Sequence, residues 1–180
     1  MRVIAGKSKG HRLKGPPSRA TRPTSDLVRG AIFSALHSLD ADLTRVLDLY
    51  AGSGALGIEA LSRGAAWCDF VEQSRTACAV IRENLASTGF ADQAGVHCTT
   101  VQKALRLLTG PYTLVLADPP YADATAPAAL EELAVSSLVE RDRTVLVLEH
   151  SSRQAAPNHI GWWGLLSSRH HGDTGISIYR

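Results

Sequence analysis

The chain has 180 residues, of which 44% are hydrophobic, and its formal net charge is +2. This composition supplies a sizeable core and excludes a disordered protein, so one globular domain is expected. No apolar run approaches the ~18 residues of a transmembrane helix, and no cationic stretch followed by an apolar segment opens the chain, so a cytoplasmic protein without a membrane partner is predicted.

Positive charge is concentrated near the N-terminus. Residues 1–30 hold eight Lys and Arg side chains against one acid, a net charge of +7, and the rest of the chain carries −5. Residues 2–5 and 11–14 flank the segment GKSKG, and glycines at both ends of a short charged segment predict a β-hairpin. A basic arm on an acidic domain is typical of a protein that binds a polyanion, because Lys and Arg neutralise phosphates. A charged, solvated terminus is the alternative.

After the hairpin, a proline-containing segment is predicted to act as a tether that leads into a helix. Residues 15–23 contain three prolines, so we divide the chain into a basic hairpin and tether, 1–23, and a main domain, 24–180. Thr24 or Ser25 can cap a helix whose apolar positions, from Val28 to Leu39, follow the i, i+3, i+4, i+7 spacing of one buried face.

Strands and helices alternate from residue 45 onwards. We predict strands at 45–50, 67–72, 95–99, 112–117 and 143–149, and helices at 55–63, 75–87, 102–108 and from about residue 127. This order predicts an α/β domain with a mostly parallel, doubly wound sheet. Residues 162–168 and 174–179 have strand composition and are separated by HHGD, so the sheet is predicted to end in an antiparallel strand pair.

The first candidate site follows the first predicted strand. In LDLYAGSGALG, Gly52, Gly54 and Gly57 stand at the turn into a helix, where glycine allows tight backbone angles and the helix N-terminus offers free N–H groups. About 20 residues on, Glu72 ends the second strand and can accept bonds from two ribose hydroxyls. This spacing fits NAD as well as S-adenosylmethionine. Asp48, inside the strand, favours S-adenosylmethionine, because a buried carboxylate would repel a pyrophosphate and attract an ammonium group.

The second candidate site ends the strand LVLA with the sequence DPPY. An aspartate in a turn usually accepts bonds from the next backbone N–H groups, but here both of the next residues are prolines. The Asp118 carboxylate and the Pro119 carbonyl are therefore predicted to form a rigid pair of acceptors beside the ring of Tyr121. Two such acceptors suit a planar group with an exocyclic amine, such as guanine, adenine, cytosine or an amide. They would turn the nitrogen lone pair toward an electrophile and stabilise the charge that develops on it.

Both sites, in this order, resemble the amino-methyltransferases with a D/N-P-P-Y/F signature. RVIAGKSKGHRLKG, TRPTSDLVRGAIFSAL, LDLYAGSGALGIEALSRGA and ADPPY together resemble the RsmD family, which methylates a guanine N2 in bacterial small-subunit (16S) ribosomal RNA. The resemblance covers essentially the whole chain. The basic hairpin followed by RPTSD is its most specific part, because many methyltransferases share the other motifs.

The resemblance implies a Rossmann-like S-adenosylmethionine-dependent methyltransferase fold with an N-terminal β-hairpin extension. It also implies the roles of three sets of residues. The cofactor would be held by Asp48, Gly52, Gly54 and Glu72. The guanine amine would be presented by Asp118, Pro119 and Tyr121. Ribosomal RNA, within an assembled or assembling small subunit, would be bound by the basic residues Arg2, Lys7, Lys9, Arg12, Lys14, Arg19 and Arg22. A monomer without a metal is expected.

One position departs from the family pattern. Where such enzymes often carry an acid or amide before alanine to contact the cofactor adenine, this chain has Gln102-Lys103-Ala104. Lys103 cannot accept a hydrogen bond, so Gln102 or a backbone group is predicted to replace it. His170 and His171 are interpreted as solvated turn residues, since two adjacent histidines make no metal site.

Three other functions remain open at this point. The same acceptor pair would serve adenine N6 of DNA or a glutamine amide. An NAD-linked oxidoreductase would use the same glycine turn, and a non-catalytic RNA-binding module would need neither site. The three cysteines, Cys68, Cys78 and Cys98, lack C-x-x-C spacing and are predicted to be buried free thiols.

Overall fold

A computed structural model of the protein describes residues 1–15 and 25–180. These residues form one eight-stranded sheet in the order β3-β2-β1-β4-β5-β8-β7-β6. The strands are β1 (Arg45–Leu49), β2 (Trp67–Glu72), β3 (Ala94–Cys98), β4 (Leu114–Ala117), β5 (Val145–Ser151), β6 (His159–Ile160), β7 (Trp163–His171) and β8 (Thr174–Tyr179). The helices are α1 (Asp26–Ser38), α2 (Ala55–Ser62), α3 (Arg75–Thr88), α4 (Val101–Ala104) and α5 (Ala126–Ala134).

The predicted topology is confirmed. Strands β1 to β5 are parallel to one another, whereas β8 returns antiparallel between β5 and β7. Several element boundaries differ from the prediction. Strand β4 begins at Leu114 instead of residue 112, because Tyr112 pairs instead with Val139 outside the strand. Helix α4 ends at Ala104, four residues before the predicted end.

The sheet is covered on both faces, which explains why its parallel strands are apolar throughout. One face packs Val46, Phe70 and Leu116 against α1, α2 and α3. The other packs Leu47, Val115 and the α4 and α5 side chains into a second cluster. The strand order reverses between β1 and β4, and ligands of open α/β sheets bind at the carboxyl ends of the strands at such a point.

The two longest helices, α1 and α3, both begin at a serine cap. The Ser25 hydroxyl accepts a hydrogen bond from the Val28 amide and caps α1, so the cap is the second of the two predicted candidates. Ser74 caps α3 in the same way, and Gly89 ends it in a left-handed conformation. Cys68 and Cys78 are buried as predicted, but Cys98 is exposed, because it ends β3 at the edge of the sheet.

Residues 1–15, which we call the N-terminal hairpin, lie on the main domain. Their two arms pair through a single antiparallel bridge between Arg2 and Arg12, not through full strands. Val3 and Leu13 are buried in the core cluster beside α1 to α3. The amides of Ile4 and Ala5 donate to the carboxylate of Glu59 on α2, at 2.7 and 3.1 Å. The main domain therefore supplies the support that an isolated hairpin lacks.

The prolines of the predicted tether, with Arg19, Arg22 and Thr24, lie outside the described residues. In the part of the chain that the structure describes, no helix has the length and apolarity required to cross a bilayer.

Candidate active site

A cleft of about 1260 Å³ opens at the carboxyl edge of the sheet, where β1 and β4 end. It brings together site residues that were predicted independently of one another: some from the glycine motif, some from DPPY and one from the start of α4. Those that line it are Asp48, Gly52, Glu72, Gln102, Asp118, Pro119 and Tyr121. Gly54 is the N-cap of α2 and stands in the chain between Ser53 and Ala55, which line the cleft. A smaller cavity of about 280 Å³ adjoins the cleft and shares Pro119, Pro120 and Tyr121 with it.

The turn from β1 into α2 depends on glycine at two positions. Gly54 has a φ of +78°, in the left-handed region that favours glycine. At Gly57 the helix passes so close to β2 that an added Cβ would stand 2.3 Å from a ring carbon of Phe70. The close packing holds α2 against the sheet and directs its N-terminus into the cleft. Tyr50, before the turn, also has a positive φ, of 59°, which is uncommon for a non-glycine residue.

Asp48 is a buried acid with little compensation. Its side chain is 1% exposed, and one carboxylate oxygen accepts a hydrogen bond from the Gly57 amide at 2.9 Å. Burial raises the pKa of Asp48 well above its usual range, the Gly57 hydrogen bond offsets part of this, and the negative charges of Asp118 and Glu72 raise the pKa further. A ligand with a positive charge would relieve this cost, because it would favour the ionised form.

Glu72 is held in place by two backbone groups. One carboxylate oxygen accepts from the Gly52 amide at 2.9 Å, and the other accepts from the Ser74 amide at 2.7 Å. The acid at the end of β2 is therefore tied to the glycine turn after β1. Each oxygen retains a further lone pair, so the carboxylate can accept hydrogen bonds from the two hydroxyls of a ribose.

The DPPY segment begins where β4 ends. The Asp118 amide continues the parallel pairing by donating to the Leu49 carbonyl at 3.4 Å, which aligns the segment with the end of β1. Asp118 is partly buried in the cleft, and its charge acts on Asp48. Tyr121 is 54% exposed at the rim of both cavities. The predicted proximity of the two motifs is thus observed.

At the departure from the family pattern, Gln102 and not Lys103 belongs to the cleft. Lys103 is exposed on α4, and among the described residues the lining includes its neighbour Gln102. The Gln102 amide nitrogen donates to the Thr125 hydroxyl at 2.9 Å. Thr125 also lines the cleft, so this hydrogen bond joins the start of α4 to the segment after DPPY.

His171 was not identified as a site residue from the sequence. Its interpretation as a solvated turn residue was wrong: His170 is exposed, but His171 is partly buried and lines the cleft. Its Nε2 atom is buried without a hydrogen-bond partner among the residues that the structure describes. Because β8 pairs antiparallel with β5, Thr174 lies opposite Ser151, and the β7–β8 turn reaches the carboxyl edge of the sheet. The antiparallel return was the signal that could have located this histidine.

The basic side chains of the N-terminal hairpin fall into two groups. All five are exposed. Two have an acidic partner: Arg2 lies 3.5 Å from Asp26, a carboxylate that also pairs with Arg29, and Lys14 forms an ion pair with Glu83. Within residues 1–15 and 25–180, no salt bridge includes the other three. These three, which we call the unpaired cations, are Lys7, Lys9 and Arg12.

Comparison with known proteins places the chain in a family. The family described as "Conserved hypothetical protein 95" matches residues 1–180. A Bacillus subtilis (strain 168) relative named "Putative rRNA methyltransferase YlbH" is 35% identical, covering 100% of this chain and 98% of its own length. The "Ribosomal RNA small subunit methyltransferase D" of Escherichia coli (strain K12) is 30% identical, covering 100% of this chain and 89% of its own length.

A solved structure agrees with these relatives. "Putative methyltransferase yhhF from Escherichia coli" is 30% identical and superposes with a TM-score of 0.86, covering 99% of this chain and 96% of that one. The chain therefore belongs to the Conserved hypothetical protein 95 family, the RsmD family of S-adenosylmethionine-dependent methyltransferases that its motifs resemble.

Proposed function

We propose that this protein transfers a methyl group from S-adenosylmethionine to the exocyclic N2 amine of a guanine in 16S ribosomal RNA. The reaction would take place in the cytoplasm, on an assembled or assembling small subunit, with the enzyme as a monomer. One observation carries the proposal: the DPPY segment opens into the same cleft as Asp48 and Glu72. The residues that would bind the substrate amine and those that would bind the cofactor therefore lie at the same edge of the sheet.

The cleft fits the charge of S-adenosylmethionine, which supplies an electrophilic methyl group on a sulfonium sulfur. Asp48 would accept the ammonium group, which restores the ionised carboxylate that burial disfavours. Glu72, already held by the Gly52 and Ser74 amides, would accept the ribose hydroxyls. Asp48 disfavours NAD, because a pyrophosphate beside this buried carboxyl group would raise the cost of its ionised form further instead of relieving it.

The acceptor base would be held by the DPPY segment. The Asp118 carboxylate and the Pro119 carbonyl would each accept one N–H of the guanine amine, which orients the nitrogen lone pair toward the methyl group. Tyr121, exposed at the rim, would stack on the base after it leaves its helix. As the new N–C bond forms, the S–C bond of the sulfonium would break and S-adenosylhomocysteine would leave. The nitrogen would become positively charged, the neighbouring carboxylate would stabilise this charge, and the nitrogen would then lose one proton to solvent.

The N-terminal hairpin would bind the RNA that surrounds the target base. Met1 lines the cleft, whereas the Lys7 amide donates to the carbonyl of Ser62 at the far end of α2. Because an eight-residue helix is about 12 Å long, the hairpin extends from the cleft toward the opposite edge of the sheet. The unpaired cations along this path would contact phosphates and supply affinity independent of base sequence.

Transfer of labelled methyl groups to small subunits from a strain that lacks the enzyme tests the proposal. Digestion to nucleosides should place the label on N2-methylguanosine. Naked 16S RNA, DNA and protein serve as parallel acceptors. Label on N6-methyladenine in DNA would instead support adenine as the substrate. Label on a glutamine amide would support a protein substrate. Absence of label on small subunits would refute the proposal.

A further inference from the structure

We propose that Glu149 and His171 read the edge of the acceptor base and select guanine over the other bases that carry an exocyclic amine. The inference rests on the proposed function, since it takes the N2 amine to be held at Asp118. It deepens that function by assigning base specificity to two side chains that stand outside the glycine motif and DPPY. Both line the cleft together with Asp118.

Asp118 and Glu149 point to the same face of the sheet. Leu116 of β4 and Val147 of β5 belong to the core cluster beside α1 to α3. Side chains alternate along an extended chain, so Asp118 and Glu149, each two residues further on, project on that same side. The strands β4 and β5 are parallel neighbours, and continuing their register by one residue sets Asp118 level with Glu149.

His171 points to this face as well. It ends β7 and pairs with Thr174 of β8, and Thr174 stands two residues before Ile176, which belongs to the same core cluster. Paired residues of neighbouring strands project on one side of a sheet. His170, the preceding residue, is exposed and projects on the opposite side. The two acids and His171 therefore line the cleft from a single face of the sheet.

The pairing registers give the separation of the outer two groups. Ala117 of β4 lies in one row with Ser168 of β7, across β5 and β8. Three strand spacings correspond to ~14 Å, and His171 stands two residues further along its strand than Asp118, which adds ~7 Å in the perpendicular direction. Their Cα atoms are therefore about 16 Å apart. Side chains that extend from both ends leave room for one planar base between them, with Glu149 next to Asp118.

The Nε2 atom of His171 is a buried group that a ligand can pair. None of the residues that the structure describes forms a hydrogen bond with it. Folded proteins rarely leave a buried polar atom without a partner, because its lost hydration is then not replaced. Glu149, which is 5% exposed, is a buried acid of the same wall. A base that enters the cleft would bring a hydrogen-bond partner to Nε2 and an N–H donor to the carboxylate.

Guanine matches the three groups in order. After the N2 amine, its pairing edge presents the N1–H donor and then the O6 acceptor. The Glu149 carboxylate can only accept and suits N1–H, whereas a neutral imidazole donates from one ring nitrogen, so His171 suits O6. Adenine and cytosine instead place an unprotonated ring nitrogen next to the amine. Its lone pair would face the Glu149 carboxylate, so these bases are disfavoured even though Asp118 can hold their amines.

Replacing the target guanine with 2-aminopurine tests the inference. 2-Aminopurine keeps the N2 amine but lacks O6, and its N1 carries a lone pair instead of a hydrogen. Small subunits are reconstituted with 16S RNA of either kind, after the target guanine has been located from the methyl label. The wild-type enzyme should show a kcat/KM at least about tenfold higher for guanine, the range expected for hydrogen bonds that include a charged group.

His171→Ala should lower this guanine preference about fivefold, by slowing transfer to guanine and not to 2-aminopurine. His171→Gln, whose amide can donate to O6, should restore most of the preference. Glu149→Gln offers an NH2 group to the unprotonated N1 and should also lower the preference. His170→Ala is the matched control, because His170 is exposed on the opposite side of the same strand, and it should leave the preference unchanged.

Two results would overturn the inference. One is a wild-type enzyme that methylates both bases equally well. The other is a His171→Ala variant that slows transfer to both bases alike, which would indicate a packing defect. Unchanged affinity for S-adenosylmethionine shows that the cofactor site of each variant is intact. Absence of N2-methylguanosine with the wild-type enzyme is a different outcome, and it would refute the proposed function and this inference with it.

Discussion

Replacing Asp48 with asparagine should stabilise the protein without cofactor while it weakens cofactor binding. The Asp48 carboxyl is almost completely buried, and burial raises its pKa well above 3.8, the value expected for the unfolded chain. Asparagine keeps an oxygen that can accept the 2.9 Å hydrogen bond from Gly57. It removes the group that must either retain a proton or carry a charge beside Asp118 and Glu72.

The sign and size of the effect follow from proton linkage. Below pH 3.8 the carboxyl is protonated in both states, and the wild-type protein bears no penalty. Above pH 3.8 the unfolded chain loses its proton while the folded protein keeps it, so wild-type stability falls by about 1.4 kcal/mol per pH unit. The fall ends at the folded-state pKa. Each 1.4 kcal/mol corresponds to about 3–6 °C in melting temperature for a chain of this size.

Thermal unfolding of both proteins from pH 5 to pH 8 measures the effect. The difference in unfolding free energy, Asp48→Asn minus wild type, should be positive and should grow with pH until it reaches a plateau. Calorimetry with S-adenosylmethionine should show about 10- to 150-fold weaker binding to the variant, the cost of losing a hydrogen bond to a charged group. A difference that is independent of pH, or a variant less stable than wild type at pH 7, would refute the reasoning, because Asp48 would then be ionised and well compensated.

Three further predictions follow from the site. Asp118→Ala should abolish methyl transfer to small subunits and leave the S-adenosylmethionine dissociation constant near normal; retained turnover would remove this residue from the mechanism. Neutralising the three unpaired cations should reduce the magnitude of the negative slope of log affinity for RNA against log salt by about 2 to 3, and the same change at the ion-paired Arg2 and Lys14 should reduce it by less per charge removed. His171→Ala should reduce kcat/KM for RNA about fivefold or more without changing cofactor affinity, since a buried nitrogen without a partner among the described residues is expected to meet a ligand. An unchanged kcat/KM would show that His171 does not contact the substrate.

The sequence alone determined the fold class, the family and the position of the two motifs. Gly52, Gly54 and Gly57 predicted a strand, a turn and a helix, and DPPY predicted a strand that ends on acceptors. Parallel strands place their carboxyl ends at one edge, so local patterns were sufficient to predict one shared cleft. The cleft confirms that the two motifs meet at one edge of the sheet, and the family membership is confirmed. The role of the DPPY groups as acceptors stays a prediction.

The tertiary structure decided which side chains join that cleft and which charges remain. The hydrogen bond between Gln102 and Thr125 crosses 23 residues of chain, and His171 reaches the site only because β8 turns back beside β5. Lys14 is neutralised by Glu83, 69 residues away, while Lys7 is not paired within the described residues. No periodicity or local motif encodes such contacts, because they depend on how separate elements pack against one another.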